Sequence, residues 1–416
     1  MTEGPIGKAF AAHALRIGDW AECAGYPVRL VPLSDRIPPA LTEGAVGRVW
    51  QSVRGDLLKA YRSGYRIVEA GPCYLVMHDW TGGRGLNSSS FLFSTKGDLY
   101  FEDQHWLPMM NGQGPIYQVL DAETGKTFFD LTQPREIIDI AEPHFHLIGN
   151  ENFGHWVQEI IPRLLAAELF QPEIARLPLV LDKILDPQRD FLSRIGFDNP
   201  LKVLHRPGEP VAVYRFQRLF VTSQPPCTLT YPLVQDRVRR AVETAPGSAV
   251  SSGSKRYFLS RRRFFPRHRI DNDAEIGACL ETFGFETLVS DDFDQIDDMR
   301  RMVEAEIVVL PYGAGMGNLP MTGPQCQIIL LGPNFLVENR YDHPVLRFFR
   351  HYLIPFFDRL QFVSGTVPPD QPPLATDATG NIVFNVKTFD YPFAYDIRAL
   401  TQAVLNAEKA LRVRRR

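Results

Sequence analysis

Residues 308–318 read Val-Val-Leu-Pro-Tyr-Gly-Ala-Gly-Met-Gly-Asn, an apolar run followed directly by a glycine-rich turn. The run predicts a buried strand, and the glycines allow the backbone to turn sharply and to approach a ligand closely. A helix that follows such a turn presents N–H groups and the positive end of its dipole to phosphate groups. A tight turn needed only for strand–helix packing is the alternative. The stretch therefore predicts a strand–turn–helix unit, with phosphate binding as one of two interpretations.

Strands and helices alternate regularly around this stretch. Apolar runs predict strands over 256–260, 286–289, 306–310 and 327–331. Helical periodicity predicts helices over 273–283, where Gly284 is the stop signal, and over 294–305. The order β-α-β-α-β is typical of a doubly wound, Rossmann-like domain.

The first half of the chain has a mixed pattern. It predicts a helix over 45–61, strands over 65–78 and 90–102, and a hairpin of 117–119 with 127–129. Further along, strands over 143–148 and 177–181 alternate with helices over 154–170 and 187–195, and Pro162 is expected to kink the first of these helices. Small residues over 245–254 predict a linker. Two domains and a terminal helix are expected. Residues 1–245 form a Rossmann-like domain with a β-rich N-terminal part, and residues 246–390 form a second Rossmann-like domain. A C-terminal helix over 391–416 packs back on the first domain.

Bulk properties narrow the class of protein. A chain of 416 residues favours two domains, and a net charge of -3 argues against a nucleic-acid partner. Five scattered cysteines and the lack of a signal-peptide pattern or a long apolar run predict a cytoplasmic protein with reduced thiols. The basic stretch from Lys409 to Arg416 is either a solvated helix end or a contact with the anionic inner face of a membrane.

A second candidate segment follows the strand at 256–260. Residues 257–269 read Tyr-Phe-Leu-Ser-Arg-Arg-Arg-Phe-Phe-Pro-Arg-His-Arg, with five arginines in the last nine positions. Arginine binds phosphate through two parallel hydrogen bonds and is always charged. A solvated basic loop is the alternative. Function is favoured because this loop and the glycine turn should open on the same edge of the sheet.

A third segment covers residues 150–163, which read Asn-Glu-Asn-Phe-Gly-His-Trp-Val-Gln-Glu-Ile-Ile-Pro-Arg. His155 and Glu159 are four residues apart and therefore lie on one helix face. A histidine with a carboxylate partner can act as a general base near neutral pH. Taken alone, the segment is more commonly explained by a capping or core histidine.

A metal site is a weaker alternative for the same region. His144, His146 and His155 could together hold a metal ion. No acidic pair follows at ligand spacing, and Asp291, Asp292 and Asp294 are explained as helix caps. We therefore expect neither a metal nor a cofactor.

The three segments, in this order, resemble glycosyltransferase family 61, a former domain of unknown function common in capsular polysaccharide clusters. The family has a Gly-His-Trp helix that continues to Pro-Arg-Leu, a strand ending in Ser-Arg with arginines and Asn-Glu after it, and a Gly-Ala-Gly turn closed by Asn. The corresponding residues here are Gly154-His155-Trp156, Pro162-Arg163-Leu164, Ser260-Arg261, Arg267, Arg269, Asn272-Asp273, Gly313-Ala314-Gly315 and Asn318. The resemblance covers roughly residues 145–333.

The resemblance implies a GT-B architecture, with two Rossmann-like domains facing a cleft. It also implies inverting, metal-independent sugar transfer from a nucleotide donor, usually a UDP-sugar, to a glycan or lipid-linked glycan. His155 and Glu159 would be catalytic. The implied acceptor-side residues are Asn152, Trp156 and Arg163. The implied donor-binding residues are Arg261, Arg267, Arg269, Asn272, Tyr312, Gly313, Ala314, Gly315 and Asn318.

The chain departs from the family pattern on the donor side. Tyr312 replaces a usual His, and Asp297-Asp298 replaces Glu-Gln. Residues 329–331 lack a frequent Glu, and Asp273 replaces the Glu of Asn-Glu. These departures leave open a donor other than UDP. They also motivate the alternative of a nucleotide- or glycan-binding module with weak or lost catalysis, while a hydrolase that uses the three histidines and a metal is a third hypothesis.

Overall fold

The computed structural model describes residues 5–38, 41, 48–79, 88–100, 117–121, 126–133, 136–147, 153–206, 211–245, 255–262, 269–289, 295–338, 344–376, 382–383, 388 and 391–414. Within these ranges the chain is a mixed α/β protein, as the sequence predicted. It divides into two compact units. Unit 1 comprises Met1–Gly44, Asp56–Ser193 and Phe197–Thr230, and unit 2 comprises Ala45–Gly55, Arg194–Gly196 and Tyr231–Arg416.

The elements are numbered here in chain order. The strands up to residue 222 are β1 Ala9–Leu15, β2 Val28–Val31, β3 Tyr65–Ala70, β4 Cys73–Asp79, β5 Ser88–Ser94, β6 Leu99–Tyr100, β7 Tyr117–Asp121, β8 Lys126–Asp130, β9 Ile137–Ile140, β10 His144–His146, β11 Leu179–Leu181, β12 Leu201–Val203, β13 Val211–Phe216 and β14 Leu219–Thr222. The later strands are β15 Arg256–Ser260, β16 Glu286–Val289, β17 Ile307–Pro311, β18 Gln327–Pro333, β19 Leu360–Thr366 and β20 Ala394–Tyr395.

The α-helices are α1 Ile17–Ala24, α2 Arg48–Ser63, α3 Phe153–His155, α4 Ile161–Phe170, α5 Pro172–Ala175, α6 Asp186–Arg194, α7 Cys227–Thr244, α8 Asp273–Thr282, α9 Gln295–Glu304, α10 Pro344–Leu353 and α11 Ile397–Arg414. A π-helix over Trp156–Ile160 joins α3 to α4. The 3-10 helices are Ser34–Arg36, Ala314–Met321, Asn334–Leu336 and Ile354–Arg359.

Unit 1 contains two sheets. One has eight strands in the order β7-β8-β1-β6-β5-β4-β13-β9, and the other has six in the order β12-β11-β10-β14-β3-β2. Apolar residues from both sheets, including Val68, Leu75, Met77 and Val221, form one buried cluster together with Trp20 of α1. The two sheets are therefore packed on a shared core.

The six-stranded sheet has a parallel part that positions the first candidate site. In it β12, β11, β10 and β14 are parallel, β3 runs antiparallel to β14, and β2 runs antiparallel to β3. The chain passes from β10 outward to β11 and β12, then returns to place β14 on the other side of β10. In open α/β sheets such a reversal creates a crevice at the carboxyl ends of the two strands, here β10 and β14.

Unit 2 is built on one sheet of six strands in the order β16-β15-β17-β18-β19-β20. The first five are parallel and β20 is antiparallel. By order along the chain this is the doubly wound arrangement 2-1-3-4-5 with one added strand, and its reversal lies between β15 and β17. The central strands β17 and β18 are buried on both faces, as expected when helices cover a parallel sheet.

The C-terminal helix differs from the prediction. The sequence led us to expect it on the first domain, whereas α11 belongs to unit 2 and packs against β18, β19 and α8. Its apolar residues fit that sheet, because Leu400, Val404 and Ala407 are fully buried. Glu408 accepts a hydrogen bond from Arg256 at 2.7 Å, which ties the helix to β15.

Candidate functional site

The first candidate site begins at the carboxyl end of β10. This strand ends at His146, and α3 opens at Phe153 with Gly154 and His155 inside it. Because β10 and β14 flank the reversal in the sheet, the helical segment over 153–170 rises from the edge where α/β proteins bind ligands. The intervening residue Asn152, predicted to face the acceptor, lies outside the described residues.

This helical segment contains one turn of π-helix. The N–H of Ile161 donates to the carbonyl of Trp156, five residues earlier, whereas an α-helix would use the carbonyl four residues earlier. Pro162 has no N–H to offer to the carbonyl of Gln158. That carbonyl instead accepts the side-chain amide of Gln224 at 3.4 Å. Single π turns are frequent at functional sites, so this irregularity supports the placement.

His155 and Glu159 are paired, as their spacing predicted. The imidazole Nδ1 and a Glu159 carboxylate oxygen form a short hydrogen bond. The histidine side chain is 21% exposed and the glutamate side chain 11%. A carboxylate on Nδ1 fixes the ring orientation and makes Nε2 the atom that exchanges a proton with a ligand. The pair has the geometry of a base and its positioning residue.

Two other residues assigned to the acceptor side are buried. Trp156 is 0% exposed and Arg163 is 2% exposed. The guanidinium of Arg163 donates to the carbonyl of Thr222 and to the side chain of Gln224, each at 2.8 Å. Arg163 therefore anchors the helix to the end of β14. Its side chain is held by the protein, which makes it a positioning residue in this structure.

The histidines of β10 have partners of their own. His144 Nδ1 is 2.8 Å from the carbonyl of Glu142. His146 Nε2 is 3.4 Å from Ser90 Oγ and 4.0 Å from Asp182. Over the described ranges, no group of three or more His, Cys, Asp and Glu side chains is arranged to hold a metal ion.

The second candidate site lies at the reversal in the sheet of unit 2. β15 ends at Ser260 and is followed by Arg261, while β17 ends at Pro311 and is followed by Tyr312 and Gly313. These two strands are adjacent and parallel, so their carboxyl ends share one edge. The tertiary structure thereby brings together two motifs that are separated by about fifty residues in the sequence.

Residues 261–272, which follow β15 and are called here the arginine segment, include Arg261 and Arg269. Asp273 organises the start of this segment. Its carboxylate accepts the Ser260 hydroxyl at 2.6 Å and lies 3.4 Å from the backbone N of Arg261. The Ser260 oxygen in turn accepts the backbone N–H of Arg262 at 3.2 Å. The sequence pattern identified Asp273 only as a replacement for glutamate. Its buried position at the first turn of α8 shows that it shapes the turn at Ser260 and Arg261, called here the Ser-Arg turn.

Arg269 and the glycine turn are in direct contact. The Arg269 guanidinium lies 5.0 Å from the ring centre of Tyr312 and donates from Nη1 to the Tyr312 carbonyl at 3.1 Å. A Cβ atom on Gly313 would overlap that same Nη1. Gly313 also has a φ of 105°, in the region that favours glycine. The glycine is thus required by an arginine of the same chain.

Tyr312 is 0% exposed, beneath Arg269. We expected its side chain to contact a ligand. In the structure it packs edge-on against Phe349 and Phe393, at 6.1 and 6.5 Å between ring centres.

Burial raises the pKa of the neighbouring Tyr395 far above its usual value, with Tyr312 as a second cause. The Tyr395 phenol therefore stays neutral.

Asn272 has a structural partner as well. Its side chain donates to the Tyr395 carbonyl at 2.9 Å and accepts the Tyr395 N–H at 3.0 Å. This pairing joins the arginine segment to β20.

The glycine turn leads into the 3-10 helix Ala314–Met321, where the side chain of Asn318 donates to the carbonyl of Gly315 at 3.0 Å. Ala314, Gly315 and Asn318 are partly exposed. Arg267 lies outside the described residues.

Each unit thus has a parallel sheet whose carboxyl edge carries one of the predicted motifs, which places the chain in the class of α/β proteins with such edge sites. Residues 153–329 match the family model described as Glycosyltransferase 61. The match confirms the resemblance found in the sequence: the chain carries a region of glycosyltransferase family 61. This family indicates glycosyltransferase activity. A comparison with curated proteins found no match.

Described helices long enough to cross a membrane are not apolar enough to do so.

Proposed function

We propose that the chain is an inverting, metal-independent glycosyltransferase that transfers a sugar from a nucleotide donor to a glycan or lipid-linked glycan. One observation carries the proposal. The motifs of the matched family lie at the reversal points of two different parallel sheets, where α/β proteins bind ligands. A transferase needs a site for each of two substrates. A GT-B arrangement of the two units is part of the same proposal.

The donor site is assigned to unit 2. Arg261 and Arg269 would bind the diphosphate, together with the backbone N–H groups of the glycine turn from Gly313 to Gly315. As the sugar leaves, negative charge develops on the diphosphate, and fixed guanidinium groups stabilise it. Two permanent cations supply the charge for which other transferases use a divalent metal. We expect a UDP-sugar as the donor.

The acceptor site is assigned to unit 1. His155 Nε2 takes the proton of the acceptor hydroxyl as its oxygen attacks the anomeric carbon of the donor sugar. The bond from that carbon to the diphosphate oxygen breaks, and its electron pair leaves with the diphosphate. Attack from the opposite side inverts the configuration. Glu159 orients the imidazole through Nδ1 and stabilises the imidazolium that forms.

A donor screen with product detection tests this proposal. His155→Ala should lower turnover about 10²–10⁴-fold and leave the donor dissociation constant unchanged, because general base catalysis is lost. Arg261→Ala should weaken donor binding about 10- to 100-fold, since a charge-assisted contact is lost. Normal turnover by His155→Ala contradicts the assignment of the base. Nucleotide binding without turnover, over a broad range of acceptors, favours the binding module.

The exposed face of α11 supports a membrane contact. Leu405, Lys409, Arg412 and Val413 all lie on it, so apolar and cationic side chains face outward together. Such a face is attracted to anionic lipids, and it would bring the enzyme to a lipid-linked acceptor. We place the protein in the cytoplasm, at the inner face of the membrane.

A further inference from the structure

The backbone of Arg269 is held in an unfavourable conformation. Its φ is 60°, and over the described ranges no other residue except glycine has a positive φ. An L-residue persists in this region only when its surroundings impose it, and such residues cluster at ligand sites. The cause is visible in the backbone hydrogen bonds of the neighbouring segment.

The segment around β20 provides this constraint. The N–H of Phe393 donates to the Arg269 carbonyl at 3.2 Å, and the N–H of Asp271 donates to the Phe393 carbonyl at 2.9 Å. Further along both segments, Asn272 and Tyr395 exchange two hydrogen bonds. The backbone that carries Arg269 is therefore clamped to residues 393–395, more than 120 positions later in the sequence.

The side chain of Arg269 is restrained from below. It stacks over the fully buried Tyr312 ring, and its Nη1 is bound to the Tyr312 carbonyl. Gly313 leaves the space that this guanidinium occupies. Phe393 contacts the edge of the Tyr312 ring and also carries the N–H that holds Arg269, so one residue supports both the ring and the backbone.

We propose that Tyr312 is a positioning residue, which with residues 393–395 holds the Arg269 guanidinium ready for the diphosphate of the donor. This inference rests on the proposed function. It replaces the expected ligand contact of Tyr312 by an indirect role, and it makes the segment before α11 part of the donor site. The aromatic ring carries the effect, because a cation above the ring face is stabilised by the ring quadrupole.

The experiment is a double-mutant cycle on binding of UDP, GDP, CDP and dTDP, measured by calorimetry. Tyr312→Leu should weaken binding of the preferred diphosphate about 5- to 30-fold, while Tyr312→Phe should stay within about threefold, since it keeps the ring. In an Arg269→Ala background, Tyr312→Leu should have no further effect, because it acts through the arginine. A merely structural role of Tyr312 would weaken binding equally in both backgrounds and would overturn the proposal.

A matched control is Tyr231→Leu. Tyr231 is another buried tyrosine of unit 2, stacked on Phe356 at 5.6 Å. Its loss should lower thermal stability without changing diphosphate affinity. If Tyr312→Leu does not fold, Gly313→Ala provides the second variant, because the added methyl displaces the guanidinium and should weaken binding at least as much as Arg269→Ala. Unchanged binding by Gly313→Ala contradicts the proposal.

The outcomes separate the two proposals. Absence of diphosphate binding by the wild-type chain overturns both. Unchanged binding by Arg269→Ala removes Arg269 from the donor site. If Arg269→Ala weakens diphosphate binding while Tyr312→Leu binds as the wild-type chain does, only the positioning role is removed, and the proposed function stands.

Discussion

At the residue scale, several side chains with functional chemistry bind other parts of the protein. Arg163 binds the end of β14, and Asn272 binds β20. Asp273 holds the Ser-Arg turn. Each belongs to a motif of the matched region, yet each has a buried or structural partner. The sequence pattern marks where a site lies, but it does not separate residues that touch a ligand from those that position them.

Arg163→Ala should destabilise the protein by about 2–4 kcal/mol, because it leaves the buried Thr222 carbonyl and the partly buried Gln224 side chain without this donor. The free energy of unfolding in urea measures the effect. Arg218→Ala is the matched control: this arginine is exposed and paired with Glu69, so its loss should cost less than about 1 kcal/mol. Equal losses for the two variants would show that Arg163 is not an anchor.

At the element scale, local irregularities follow from single residues. Pro162 interrupts the helical hydrogen bonds after His155, and a π turn results where the sequence predicted a kink. Gly71 separates β3 from β4, which we had expected to be one strand over 65–78. A Cβ on Gly71 would overlap the carbonyl of Gln217, so only glycine permits this close approach.

The register of α11 can be tested with neighbouring residues. Val404 is 0% exposed and Leu405 is 45% exposed. Val404→Asp should destabilise the protein by about 3 kcal/mol or more, because it buries an unpaired charge, while Leu405→Asp should stay within about 0.5 kcal/mol. Thermal and urea unfolding measure both. A larger loss for Leu405→Asp would mean that the helix buries its other face, as packing elsewhere would require.

At the scale of the whole molecule, the chain has two compact α/β units, and the matched family region includes residues of both. The division follows strand pairing, with β1–β14 in unit 1 and β15–β20 in unit 2. The sequence-derived boundary at 245–246 remains a prediction. The outward face of α11 belongs to unit 2, so the proposed membrane contact would bring the unit to which we assign the donor site to the lipid surface.

The membrane contact predicts co-sedimentation with phosphatidylcholine vesicles only when phosphatidylserine is included. Lys409→Glu with Arg412→Glu should reduce the bound fraction about tenfold or more, and added salt should release the protein, since each cation contributes about 1 kcal/mol near an anionic surface. Arg239→Glu with Arg240→Glu reverses two exposed charges on α7 and is the control. Equal binding to neutral vesicles would argue against an electrostatic contact.

The sequence by itself determined the α/β alternation of the second half and the pairing of His155 with Glu159. It also determined the resemblance to the glycosyltransferase family. β15 and β16 were predicted to the residue. The His155–Glu159 contact was predictable because four residues make one helical turn.

Only the tertiary structure decided which side chains of the motifs are buried and where α11 packs. Tyr312 lies beneath Arg269 because β15 and β17 are neighbours in one sheet, and residues 393–395 clamp the arginine segment through hydrogen bonds between parts of the chain that are distant in sequence. The apolar face of α11 would fit any exposed sheet, and the helical repeat of its apolar residues does not identify the element against which it packs. Local periodicity specifies an element and its buried face, while long-range pairing selects what that face meets.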